Sequence, residues 1–265
     1  MTTYVFDQAW ERERDRLRSL EGLFDEATTR YLSRLGVAAG WRSLEVGCGA
    51  GSVARWLAER VGDTGWVVAT DLDTRFIDDH GYANLEARQH DLMSGPPEHA
   101  AFDLVHARAV VEHVPDHQTA LTNLLAAVRP GGWVLVEDVD FGGPMAAALA
   151  RYTSPSEHGP LIERLYRAGE AVFAAIGADA SFGVQLVGAL ESAGFEEIGG
   201  EFHAPIVSGG SEQWTRGTAQ QLGEHFVRTG LASADDIAGF LTVSEQRGVY
   251  YTPPAMASAW GRRPR

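Results

Sequence analysis

Residues 43–61, SLEVGCGAGSVARWLAERV, constrain this chain more than any other stretch. A short apolar segment runs into Gly47, Gly49 and Gly51, and an amphipathic pattern at helical spacing follows. The combination predicts a strand over 43–47, a tight turn, and a helix over 52–61. Glycine has no Cβ, so the backbone of such a turn can approach a ligand closely.

The pattern repeats downstream. Segments 65–73, 84–92, 102–111 and 133–141 read as strands, and 120–132 as a helix stopped at Pro130-Gly131-Gly132. Strands alternating with helices indicate an α/β fold with a doubly wound, mostly parallel sheet, seven strands in all. Ligands of such sheets bind at the carboxyl ends of the strands, where the glycines and the acidic pairs fall. Residues 7–35 predict one or two N-terminal helices; Arg12, Arg14, Arg16 and Arg18, interleaved with Glu11, Glu13 and Asp15, read as a solvated face. After residue 142 come helical stretches at 145–152, 160–177, 214–229 and 233–246, a helix over 182–195, a strand near 196–207, and a last strand broken at Pro253-Pro254. The expected organisation is a single domain over 1–265. Residues 1–38 form a helical lid, 39–142 the ligand-binding core, 143–181 and 208–247 helical cap insertions, and 182–207 with 248–265 the rest of the sheet.

Composition removes whole classes of chemistry. All 22 basic residues are arginine, which rules out a Schiff base, a Walker lysine and a Tyr-x-x-x-Lys dehydrogenase pair. The formal net charge of −14 opposes unspecific nucleic-acid binding. No apolar run is long enough for a membrane span, and the N-terminal residues lack a signal-peptide core. The single cysteine, Cys48, fits a reducing, cytoplasmic setting. The expected partner is therefore a small molecule, not nucleic acid or membrane, and a homodimer is a further expectation that nothing in the sequence tests.

Three ligands use glycine turns of this kind. A dinucleotide prefers G-x-G-x-x-G, but Ser52 stands at the third glycine position, and a triphosphate loop needs the missing lysine. The remaining pattern, acid-x-G-x-G-x-G from Glu45 to Gly51, resembles motif I of the class I S-adenosylmethionine-dependent methyltransferases. VVATDLD, RQHDL, FDLVHARAVVEHVPD and RPGGWVLVED resemble that family's later motifs in the same order, and the likeness covers residues 40–142. The resemblance implies S-adenosylmethionine as cofactor, S-adenosylhomocysteine as product, and no metal. It assigns cofactor contacts to Glu45, Gly47, Cys48 and Gly49, and the ribose hydroxyls to Asp71 with Leu72. It puts Asp91 and Leu92 at the adenine, and His106 and Ala107 beside the methionine part.

For the acceptor, the family's EHVPD histidine makes His113 the candidate general base. Trp10, Arg108, Asp138 and Tyr152 are candidate substrate contacts. His113 and His117 could pair on a metal, but Pro115 breaks the helix this needs; the acids Glu137, Asp138 and Asp140 read as pocket lining or turn caps. The place after the fourth strand reads HARAVV, without the Asn/Asp-Pro-Pro motif of enzymes that methylate base amines. The expected substrate is a small hydrophobic or aromatic molecule of bacterial secondary metabolism, methylated at O, N or C. Two alternatives stay open: a methyltransferase fold with other chemistry (a cyclase or a regulatory cofactor binder), and a nicotinamide-dependent oxidoreductase.

Overall fold

The computed structural model describes residue 6, residues 12–77 and residues 81–265. In chain order the elements are α1 (Glu13–Arg34), β1 (Arg42–Val46), α2 (Ser52–Val61), β2 (Trp66–Asp71), β3 (Leu85–Gln89), β4 (Phe102–Arg108), α3 (His117–Ala127) and β5 (Val128–Asp140). They continue with α4 (Pro144–Ala150), α5 (Gly159–Ala175), α6 (Leu186–Ala193), β6 (Glu196–His203), β7 (Val207–Ser208), α7 (Trp214–Arg228), α8 (Ala234–Val243), β8 (Tyr250–Tyr251) and β9 (Ala255–Arg262). Seven strands form one sheet in the order β3-β2-β1-β4-β5-β9-β6. β1 to β5 pair in parallel, and β9 runs antiparallel between β5 and β6. This is the doubly wound, mostly parallel sheet that the alternating pattern predicts.

The central strands read as nearly continuous apolar runs because both faces are covered. One face packs Leu57, Val61, Val67 and Leu104 against α1 and α2; the other packs Leu121, Leu124, Val134 and Leu190 through α3 and α6. A third apolar cluster lies beyond the strand ends, where Ile162, Leu165, Phe173, Leu222 and Phe240 of α5, α7 and α8 pack together. β1 lies between β2 and β4, so the winding reverses there and a crevice opens at the carboxyl ends of β1 and β4.

One element boundary and the burial of two charges differ from the sequence reading. The helix expected to run to residue 132 ends at Ala127, and β5 already begins at Val128, carrying Pro130 in its first turn of extended chain. Of the charges read as a solvated face, Arg12, Arg14, Asp15 and Arg18 are exposed, but Glu13 and Arg16 are buried. They bond in bidentate fashion at 2.8 and 2.6 Å, and the Arg16 guanidinium stacks 3.9 Å over the Phe6 ring. A paired charge is tolerated inside when its partner fills its hydrogen bonds.

Candidate functional site

The glycine turn leaves β1 in a conformation that few other residues reach. Gly47, Gly49 and Gly51 have φ of +66°, +53° and +86°. A Cβ on Gly47 would lie 2.2 Å from Cγ2 of Val110, so that position has no room for a side chain. The turn is tied to the neighbouring strand end, where Asp71 Oδ2 accepts the Gly49 N–H at 2.9 Å and Oδ1 accepts that of Asp73 at 3.1 Å. Burial pushes the Asp71 carboxyl above its ordinary pKa, against these backbone hydrogen bonds. Asp73 and Asp91 each cap a short 3-10 turn, accepting from the N–H of Arg75 and Met93.

These strand ends open into one long cleft. Its polar half is lined by Glu45, Gly47, Cys48, Gly49, Asp71, Leu72, Asp91 and Leu92, so eight expected cofactor positions meet there. Burial raises the Cys48 thiol well above its usual pKa, which leaves the residue inert inside the turn. The other half is apolar: Val139, Phe141, Ile162, Leu165, Phe173 and Trp214 line it, with Phe226 and Phe240 behind. His113 and Arg108 line the same cleft.

His113 packs its ring against Phe173 at 5.2 Å and Phe6 at 6.2 Å, with Nε2 3.3 Å from the Glu112 carboxylate. Burial, reinforced by the nearby Arg16 charge, presses its pKa down to about 3, so the imidazole is neutral. Glu112 accepts the Val139 N–H at 2.6 Å; burial, with Asp138 close by, holds its carboxyl well above the usual range. Arg108 is engaged from α1, donating to Asp25 at 2.8 Å and to Thr28 at 2.9 Å.

Four expected contacts are not where the sequence reading put them. β4 ends at Arg108, one residue beyond Ala107, and the cleft meets Arg108, Ala109 and Val110. His106 and Ala107 are therefore fully buried within the sheet layer and do not line the cleft. His106 instead lies between two carboxylates, 2.6 Å from Glu45 and 3.0 Å from Glu137. Asp138 is also fully buried; it accepts the Val110 N–H at 3.0 Å and so fastens the turn after β4, and burial raises its pKa to about 7. Tyr152 lies in the turn after α4 and is 64% exposed, while Tyr166 of α5 lines the cleft. Trp10 lies outside the described residues.

The sequence reading also missed wall residues. Glu13, Arg16, Leu17, Leu20 and Glu21 of α1 all line the cleft. Their spacing of three and four residues marks one helical face, which was the available signal. Among the described residues no group of three or more His, Cys, Asp or Glu is arranged to hold a metal ion. No helix among them is long and apolar enough to cross a membrane.

Comparison with known proteins bears on this arrangement. A family model described as a methyltransferase domain matches residues 10–170, more than half of the chain. Methyltransferase str3 of Strobilurus tenacellus is 36% identical over 104 residues, 37% of this chain and 35% of that protein. The demethylmenaquinone methyltransferase of Oceanobacillus iheyensis is 32% identical over 111 residues, 39% of this chain and 47% of its own. The chain thus spans between a third and a half of the length of these relatives. In fold it is similar to phosphoethanolamine N-methyltransferase 2 of Haemonchus contortus, with a TM-score of 0.61 at 17% identity over 97% of this chain and 58% of that one. It is also similar to YcgJ of Bacillus subtilis, with a TM-score of 0.60 at 13% identity over 91% of this chain and 99% of that one. With the family model spanning α1, the glycine turn and β1 to β5, the chain belongs to the methyltransferase-domain family.

Proposed function

We propose that this chain transfers a methyl group from S-adenosylmethionine to a small, uncharged, apolar acceptor of the secondary-metabolite kind. One observation carries the reading: a single cleft joins the glycine turn and its acids to an apolar chamber under the cap helices. The residues fit the cofactor. The turn presents backbone without side chains at Gly47 and Gly49, and Cys48 is small enough to stay within it. A carboxylate such as Asp71 has acceptor capacity beyond its two backbone hydrogen bonds, which suits a ribose diol. Asp91 and Leu92 stand farther along the same wall for the adenine. When bound, the cofactor supplies an activated methyl group on a sulfonium, and the protein's task is to align the acceptor in line and keep water out.

His113 lines the cleft that holds both the glycine turn and the apolar residues, and we assign it to the proton of the acceptor. Being neutral, it accepts a hydrogen bond from the acceptor and takes its proton once alkylation has made that proton strongly acidic. This order suits a hydroxyl or an aromatic carbon better than an amine, whose alkylated form holds its proton too firmly for so weak a base. The arginines Arg16 and Arg108 are each held by a carboxylate, and this disfavours an anionic acceptor. The buried lone cysteine suits a reducing compartment, and we assign the reaction to the cytoplasm.

Thermal unfolding with added ligands tests the cofactor assignment. S-adenosylmethionine and S-adenosylhomocysteine raise the Tm, whereas NAD leaves it unchanged. Asp71→Ala weakens cofactor binding by about 1–3 kcal/mol, the order for a lost charged acceptor. Protection by NAD alone overturns the assignment, and unchanged affinity in Asp71→Ala removes the ribose role.

A further inference from the structure

A row of polar side chains crosses the middle of an otherwise apolar sheet. It starts at Glu45 on β1, whose Oε2 lies 2.6 Å from His106 Nδ1 on β4. His106 Nε2 lies 3.0 Å from Glu137 Oε2 on β5, and Ser258 of β9 donates to Glu137 Oε1 at 2.6 Å. The register pairs Glu45 with His106 and Glu137 with Ser258; His106 itself pairs with Leu135 and reaches Glu137 diagonally, two residues along β5. Glu45, His106, Glu137 and Ser258 are all buried, so each must find its partners within the protein. With a carboxylate on either side, both ring nitrogens of His106 carry protons and donate.

The row does not end in the sheet. Thr28 of α1 donates to the same Glu137 oxygen at 2.6 Å and accepts from Arg108 at 2.9 Å. Arg108 also donates to Asp25 of α1 at 2.8 Å, and Asp25 accepts from the Ser52 hydroxyl at 3.0 Å. Ser52 is the first residue of α2, and its N–H is capped by Glu21 of α1 at 3.0 Å. The circuit thus leaves the glycine turn at Glu45 and returns to it at Ser52 by way of α1. α1 is the helix that brings Leu17 and Leu20 to the cleft.

We propose that His106 is a positioning residue: bridging Glu45 and Glu137, it holds the cofactor-facing carboxylate and latches α1 over the cleft. The proposal rests on the cofactor reading above, but its effect on α1 does not. Thr28 and Asp25 do not line the cleft, so in this scheme they act on a ligand only through the circuit. A simple space-filling role for His106 would leave α1 and cofactor affinity insensitive to which ring nitrogen is lost.

The test compares wild type with His106→Asn, which keeps a polar atom at the Nδ1 position toward Glu45, and His106→Gln, which keeps one toward Glu137. Thr28→Val serves as a variant of like shape on α1. Amide hydrogen exchange over residues 13–34 is measured without ligand, and S-adenosylmethionine affinity by calorimetry. We expect faster exchange of α1 in His106→Asn and Thr28→Val, which lose the link through Glu137, and affinity lowered about tenfold in His106→Gln, the scale of one lost charged hydrogen bond. His106→Asn retains more affinity than His106→Gln, KM for the cofactor rises more than kcat falls, and wild-type nitrogen NMR shows His106 protonated at both ring nitrogens at neutral pH. Unchanged α1 exchange in folded Thr28→Val and His106→Asn overturns the latch. Equal affinity for wild type and His106→Gln overturns the positioning of Glu45. Failure of wild type itself to bind S-adenosylmethionine refutes the cofactor reading, while the exchange data still decide the latch.

Discussion

His113 has its chemistry set by what surrounds it. An exposed histidine titrates near neutrality, but this one is enclosed by Phe6, Phe173 and the Arg16 charge and stands neutral. His113→Ala should lower turnover by about 100-fold or more while cofactor affinity stays near wild type. Steady-state rates on an accepted substrate check this, and near-normal turnover would leave His113 a packing residue. Asp71 and the three glycines were legible in the sequence because their demands are local: a turn that needs positive φ, and an acid one strand away. Tyr152 and Asp138 were misread for the opposite reason. Which way Tyr152 faces depends on where α4 stops, and sequence patterns place such ends poorly; Asp138 lies within β5, and its partner, the Val110 N–H, comes from a segment 28 residues away.

At the scale of elements, α1 stands out. Its charged residues looked like a solvent-facing pattern, yet Glu13 and Arg16 sit in the cleft wall. Gly217 of α7 makes this possible: a Cβ there would lie 3.2 Å from Arg16 Cγ, so the glycine lets the two helices close on the ion pair. Arg16→Met leaves Glu13 buried without its cation and should destabilise the fold by about 3–5 kcal/mol. Glu13→Leu together with Arg16→Met should recover most of that loss, because the uncompensated charge is gone. Denaturant midpoints of the two variants measure the difference; equal loss in both would mean that shape, not charge, sets the cost. Glu21 adds a second tie, since it caps the first N–H of α2, where the helix dipole favours an anion.

For the whole molecule, pH reads the buried polar groups together. Burial pulls the His106 pKa down, but Glu45 and Glu137 outweigh it and hold it up at about 9. Burial opposes ionisation of Glu137 too, yet the His106 hydrogen bond and charge, with Arg108, keep it below its ordinary value. Burial leaves Glu45 above its own. A histidine whose pKa rises on folding contributes stability that is complete below its unfolded pKa, near 6.5, and lost as pH rises through about 9. Asp138, raised to about 7, adds a loss that begins above its unfolded value of 3.8 and runs through about pH 7. His113 acts in reverse: its contribution is complete above about 6.5 and disappears as pH falls toward 3. The Tm should therefore decline between pH 7 and roughly 9 in wild type and decline less in His106→Gln. Parallel curves for the two proteins would take His106 out of this alkaline limb.

By itself the amino-acid sequence determined the strand order's local ingredients: apolar runs long enough for strands, glycines where φ must be positive, acids at strand ends, and the absence of lysine. These follow from steric and hydrophobic rules that act over a few residues, and they sufficed for the doubly wound sheet and for the glycine turn with Asp71 beside it. Only the tertiary structure decided that His106 faces two carboxylates and not the ligand, that Asp138 fastens a turn, and that α1 supplies a wall. Register between strands distant in sequence made Glu45, His106, Glu137 and Ser258 neighbours. Burial then turned ordinary acids and bases into a paired network, because a charge removed from water has to find its partner wherever the fold has put one.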